Sequence, residues 1–213
     1  MSRLRFNITM TLDGYIAGPK QRLDQPLGER AERLHDWAIK VKTFHEMHGE
    51  PGGERGPNDD VLRQTFDNIG ATIMGRNMFG GGPGPWREPP WQGWWGENPP
   101  YHTPVFILTH HPRDPLVMQG DTTFHFVTDG IESALAQARQ AAAGKDVALI
   151  GGARAAQQYL AAGLVDEIEL HLVPMLLGAG ERLFDNAGLD LKLEPIRVID
   201  TPEVTHLKYR LVK

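Results

Sequence analysis

The chain contains no cysteine, which excludes disulfide staples, thiolate metal ligands and thiol nucleophiles. That absence is compatible with a reducing cytoplasm, the location expected for it. Long apolar runs are missing too. The opening MSRLRFNITM alternates apolar and polar residues, so neither a signal peptide nor a membrane span is expected. Charge of a single sign is not in excess: the net charge is −5 with acids and bases interspersed, and no face suited to nucleic acid emerges. His45 and His48 stand near Glu46 and Glu50, but a zinc site needs more converging ligands than this, so no metal is expected.

What is present is apolar residue enough, 40% of the chain, for one globular domain over residues 1–213. Leu4, Phe6, Ile8 and Met10 alternate as in a strand, which Asp13-Gly14 breaks before a short extended segment over residues 15–18. Ala31, Leu34, Ala38 and Val41 fall on one stripe with Trp37 beside it, predicting a helix over 28–41. Residues 43–58 are polar and read as a surface loop. Asn58 is placed to cap a helix over 59–68, whose first-turn acids suit the helix dipole. GATIMGR then forms a short buried strand ending at Gly75.

Residues 80–104 are rich in Gly and Pro and hold four of the five tryptophans. A loop so aromatic is expected to pack on something, either a partner subunit in a homodimer or its own pocket as a lid. The second half alternates: PVFILT and TTFHFVT as strands, GIESALAQARQAAA as a helix, DVALI as a strand, ARAAQQYLAAG as a helix and VDEIELHLVP as a strand. LKLEPIRVID and VTHLKYRLV close the chain as an antiparallel hairpin. The expected class is α/β, a mixed and mainly parallel sheet flanked by helices.

In such sheets, ligands collect beyond the carboxyl ends of the strands. Three strand ends carry suggestive residues: Ile150-Gly151-Gly152-Ala153, the MGRN of residues 74–77, and the LTHH of residues 108–111. Each is ambiguous alone, since glycine serves strand-to-helix turns for conformational reasons. GGAR is neither the dinucleotide-binding fingerprint nor a P-loop.

Order and spacing together are more specific. TLDGYIAG, IMGRNMF, PVFILTHHP, ALIGGARAAQQYLAAGLVDEIELHLVP and LLGAGERLF resemble the dihydrofolate-reductase-like fold, and within it the RibD C-terminal reductase domain of riboflavin biosynthesis. The resemblance covers nearly the whole chain and implies NADPH as cofactor. Carried over, it places Ile150, Gly151, Gly152, Ala153, Arg154 and Ala155 along the diphosphate. Gly75, Arg76, Asn77 and Met78 fall on the adenosine half, with Met78 where a phosphate-binding Thr is usual. Leu108, Thr109, His110 and His111 lie toward the 2′-phosphate, for which the forked guanidinium of Arg76 is the best cation. Ile16 and Ala17 would hold the nicotinamide carboxamide.

The resemblance also implies a carboxylate on the helix before the Gly-Arg strand, a position that falls on Asp59, although paired acids at a helix start are ordinary dipole complements. His171 falls where the fold puts a polar residue against substrate, and it is the second proton-donor candidate. By period two, Glu169, His171 and Val173 share one strand face, and Ile168, Leu170 and Leu172 the other. Trp37 and Asp13 are candidate substrate contacts; core packing and turn pinning are their bland alternatives. The expected function is NADPH-dependent reduction of a C=N or C=O bond in a pterin- or pyrimidine-type molecule. The alternative is a protein of the same fold that binds a nucleotide or small ligand without turnover.

Overall fold

The computed structural model describes residues 2–185 and 191–212. Its frame is a nine-stranded sheet whose strands, named in chain order, are β1 (Leu4–Thr11), β3 (Ile69–Gly75), β4 (Pro104–Leu108), β5 (Leu116–Val117), β6 (Thr123–Val127), β7 (Asp146–Leu149), β8 (Glu167–Val173), β10 (Leu193–Asp200) and β11 (Thr205–Leu211). The order across the sheet is β10-β11-β8-β1-β7-β3-β4-β6-β5. Neighbours from β8 through β6 run parallel, whereas β5, β11 and β10 are antiparallel additions. The parallel run puts six carboxyl ends on one edge, the rim where ligands are expected.

Two helices cover one face: α5 (Ile131–Ala141) and α6 (Ala153–Ala161). Against them lie the even residues of β1, with Leu4 and Phe6 fully buried. A buried aromatic such as Phe6 stabilises the fold by about 1.5–3 kcal/mol. Ile168 and Leu170 face the same way, with Leu172 packed against them, while Val173 lies in the cluster on the opposite face, as the period-two pattern predicts.

The opposite face carries three short helices, α1 (Asp36–Ile39), α2 (Lys42–Met47) and α3 (Pro57–Phe66). The helix predicted over 28–41 is broken into a 3₁₀ turn at Glu32–His35 followed by α1. Its apolar stripe is nevertheless buried, from Ala31 and Leu34 to Trp37 and Val41. The loop predicted over 43–58 contains α2. Nor does Asn58 cap α3: Gly56 is the cap residue and Pro57 opens the helix, the position where a missing N–H costs least. The other end of α3 is closed from the sheet, where the buried Arg5 guanidinium donates to the carbonyls of Gln64 and Asp67 at 2.7 and 2.8 Å.

The tryptophan-rich loop packs on its own sheet. Trp86, Trp91 and Trp95 join Met74, Phe79, Val105, Ile107 and Phe124 in one cluster. The loop descends from a one-turn helix, α4 (Arg76–Phe79), whose terminal carbonyls it closes. The Trp94 indole N–H donates to Met78 O at 2.9 Å and that of Trp91 to Phe79 O at 2.8 Å. Carbonyls at a helix end have no intrahelical partner, so these indoles act as a cap.

Candidate functional site

At the centre of the rim, β3 and β7 end side by side. Gly75 N–H donates to Gly151 O at 2.7 Å, and a Cβ at Gly75 would lie 3.2 Å from that of Ala155. An alanine at residue 75 would therefore need strand and helix to part by a few tenths of an ångström. The Gly151–Gly152 peptide is cis, and Gly151 has φ +106°, a region that favours glycine. Helix α6 starts after Gly152 with no side-chain cap, and a Cβ at Gly152 would meet nothing within 4 Å. The first-turn N–H groups thus lack a side-chain cap at the positive end of the helix dipole, and the space beside Gly152 Cα is open. Ile150, Gly151, Gly152, Ala153 and Met78 gather here, with the Met78 sulfur 3.8 Å from a Gly151 Cβ. Arg154 is exposed, while Ala155 turns inward against Gly75 and offers only its backbone.

Beside this turn lies a two-stranded ribbon of β2 (Tyr15–Ala17) and β9 (Glu181–Arg182). Ile16 and Ala17 are buried in it. Asp13, a substrate candidate, is committed elsewhere. Its carboxylate accepts the N–H groups of Gly178 at 2.7 Å and Leu177 at 3.1 Å, and the Thr11 hydroxyl at 2.5 Å. Desolvation pushes its pKa up, but the bonds from Thr11, Gly178 and Leu177 outweigh that and hold the carboxyl below its ordinary range. Asp13 pins the β1–β2 turn to the segment after β8.

On the other side, Arg76 is not a free cation. It bonds to Thr109 Oγ1 and to carbonyls of the tryptophan loop, and its guanidinium lies 3.2 Å from the centre of the Trp86 ring. Desolvation, and then the Arg113 charge, lower its pKa. Leu108 and Thr109 are packed at the end of β4, whereas His110 and Asn77 are exposed and His111 is half-buried.

The proton-donor candidates occupy a third corner, under α1 and α3. His171 pairs in register with Thr9 and with His206, and its Nδ1 lies 2.8 Å from His206 Nδ1. Trp37 roofs both imidazoles, at ring distances of 4.7 and 4.9 Å, and donates its indole N–H to Thr9 Oγ1. Trp37 is buried in the core. Asn58 donates to Glu203 and accepts from His206 Nε2 at 3.1 Å, an order that makes His206 Nδ1 the acceptor and His171 Nδ1 the donor. Burial drives His171 well below the usual histidine range and His206 to about 4, with neighbouring positive charge adding to both. Both are neutral at pH 7, so His171 holds no spare proton there. Asp59, at the start of α3, accepts the Thr43 N–H at 2.7 Å and so caps α2.

The model of the RibD C-terminal domain family matches residues 3–207. The chain belongs to the RibD C-terminal domain family. No curated protein matches it. Among solved structures, a Shewanella sp. PV-4 protein provisionally assigned to riboflavin biosynthesis is 24% identical, with TM-score 0.62 and full coverage of both chains. The Thermotoga maritima diaminohydroxyphosphoribosylaminopyrimidine deaminase/5-amino-6-(5-phosphoribosylamino)uracil reductase is 13% identical, with TM-score 0.58; 99% of this chain matches 57% of that one. Dihydrofolate reductase from Enterococcus faecalis, solved with NADP(H) and RAB-propyl, is 13% identical over 99% of this chain and 97% of its own, with TM-score 0.52.

Several residues that hold the rest of this RibD C-terminal domain's rim were not legible in the sequence. Asn58 and His206 escaped notice because one resembled a helix cap and the other an ordinary position in an alternating strand. Trp86 and Arg113 were hidden in loops. Arg113 donates to Trp91 O and lies 5.1 Å from the Trp86 ring. The four Trp in one short loop were the available signal, and they showed that it packs without showing against what.

Proposed function

We propose that this chain is an NADPH-dependent reductase acting on a C=N or C=O bond of a small pyrimidine- or pterin-type heterocycle. The observation that carries the reading is the uncapped start of α6 behind Gly152, on the rim of a chain of this family. Its residues fit a diphosphate: the backbone is bare, the N–H groups are free of side-chain caps, and no Cβ intrudes. Gly151, Gly152 and Ala153 would hold the diphosphate, Ile16 and Ala17 the nicotinamide amide, and the segment from Thr109 to His111 with Asn77 the adenosine half. When bound, the coenzyme supplies hydride.

The protein's own part is to orient the acceptor and bring it a proton. Asp59 and His171 are the catalytic candidates of this scheme, with Asp59 as the carboxylate that orients the acceptor side and His171, held by His206 under Trp37, as support behind it. Pyrimidine-ribityl and dihydrofolate substrates are the first to test, in keeping with the names of the similar reductases. NADPH titrated into the protein should release heat of binding, and adding the right acceptor should bleach the absorbance of the reduced nicotinamide. Absence of binding by either NADPH or NADH would sink the proposal.

The second reading, a ligand-binding protein without turnover, draws on the structural commitments of Asp13, Trp37 and His171. It predicts coenzyme binding with no acceptor reduced. Dimerisation belongs to the proposal as well. The exposed Leu193, Ile196 and Val198 on the edge strand β10 form the surface it would use, and light scattering checks it.

A further inference from the structure

We infer that Arg76 anchors the tryptophan loop and does not discriminate NADPH from NADH. A guanidinium has five N–H donors and reads a phosphate with two that point the same way. In this chain Nε donates to Gly80 O, one terminal nitrogen to Thr109 Oγ1, and the other to Gly82 O and Gly84 O, at 3.0 to 3.5 Å. Those four contacts leave one donor unassigned, too few for a forked grip on a phosphate. The Trp86 ring covers one face of the same group, and Trp86 is itself tied by its indole N–H to His111 O at 3.0 Å.

The glycines explain how such a cage forms. Gly80, Gly82 and Gly84 have φ of +89°, +76° and +78°, and each directs its carbonyl to the guanidinium. The run GGGPG is thus an acceptor nest for a cation, where an anion-binding loop would present N–H groups. Among the described residues no ion pair involves Arg76, so loop carbonyls, Thr109 and one indole are what hold it. Arg76 thereby ties the end of β3 to the end of β4, and acts on coenzyme as a positioning residue for both strand ends. Selection of a 2′-phosphate then falls to other groups, of which His110 and His111 stand at the end of β4.

The coenzyme half of this inference rests on the reductase reading; the anchoring half does not. Arg76→Ala and Trp86→Ala are each expected to speed trypsin cleavage after the exposed Arg87 by about tenfold, the signature of a loop whose local opening has become easier. Both are expected to weaken NADPH and NADH by the same factor. Arg76→Lys should fail to restore either property, because an ammonium has no fork. Trp86→Phe, which keeps a ring face and is the safer variant for folding, should restore most of the protease resistance. A loss for NADPH about tenfold larger than for NADH in Arg76→Ala would overturn the inference. So would unchanged cleavage at Arg87 in both alanine variants. If the wild-type protein binds neither coenzyme, the reductase reading fails, and cleavage at Arg87 alone decides the anchor.

Discussion

At the turn from β7 into α6 the backbone is bare, and its N–H groups look out over two glycines. At the corner under Trp37, by contrast, His206 and His171 are buried and bonded to each other, and the half-buried Asn58 takes the remaining N–H of His206. Both places lie where sheet strands approach the carboxyl edge, and both drew attention through polar or glycine residues in the sequence. The difference teaches that a polar residue at a strand end marks a binding group only if nothing nearby uses it first.

That contrast is open to attack from the buried corner. His206 titrates at about 4 in the folded chain against 6.5 for a free imidazole, because burial and then Arg197 disfavour the cation. The unfolded chain therefore takes up its proton first as pH falls. This contribution to stability is full above pH 6.5 and drains away toward pH 4, by an amount on the order of a few kcal/mol. Urea melts across that range should show the slope, and His206→Gln should reduce it, leaving the shares of His171 and His35, whose pKa values burial also lowers.

Next in size, Asn58→Ala leaves His206 Nε2 without its acceptor and should cost about 1–3 kcal/mol in thermal or chemical unfolding. Coenzyme affinity should stay unchanged, and a parallel loss of binding would merge the two regions. Asp13→Ala strips the acceptor from Gly178 and Leu177 N–H groups on a half-exposed turn. Its expected cost is about 1–2 kcal/mol, read as a lower Tm. The smallest effect on folding is predicted for Gly152→Ala. The added methyl meets no atom within 4 Å, and φ is −69°, so stability should move by less than about 0.5 kcal/mol. NADPH binding should nevertheless fall by about tenfold or more, measured by calorimetry, since the methyl enters the space assigned to the diphosphate. Equal affinity in this variant would break the comparison at its bare end.

The regular half of the fold was legible because period and punctuation agree there. DVALI, GG and ARAAQQYLAAG give strand, turn and helix with no competing pattern, and β8 sorts its faces by alternation. Between residues 28 and 58, burial was legible but geometry was not. The stripe from Ala31 to Val41 is buried as expected, yet it runs through a 3₁₀ turn and a short helix, since short segments take their shape from the surface they pack on. The candidate site divides in the same way. A glycine's meaning is local, so the α6 edge could be read from the sequence. Arg76 and His171 take theirs from partners at Trp86 and His206, and no spacing rule connects those residues.

The indole caps on α4 have an optical consequence. Four of the chain's five strongest ultraviolet emitters sit in one patch beside the β3 and β4 ends, while the fifth, Trp37, meets one imidazole tilted and another edge-on in a buried corner. Light from the patch follows the Gly/Pro loop, whereas acid that charges His206 acts on Trp37, 4.9 Å away. The molecule thus carries two built-in gauges, and one spectrum taken during a titration can separate events at its two ends.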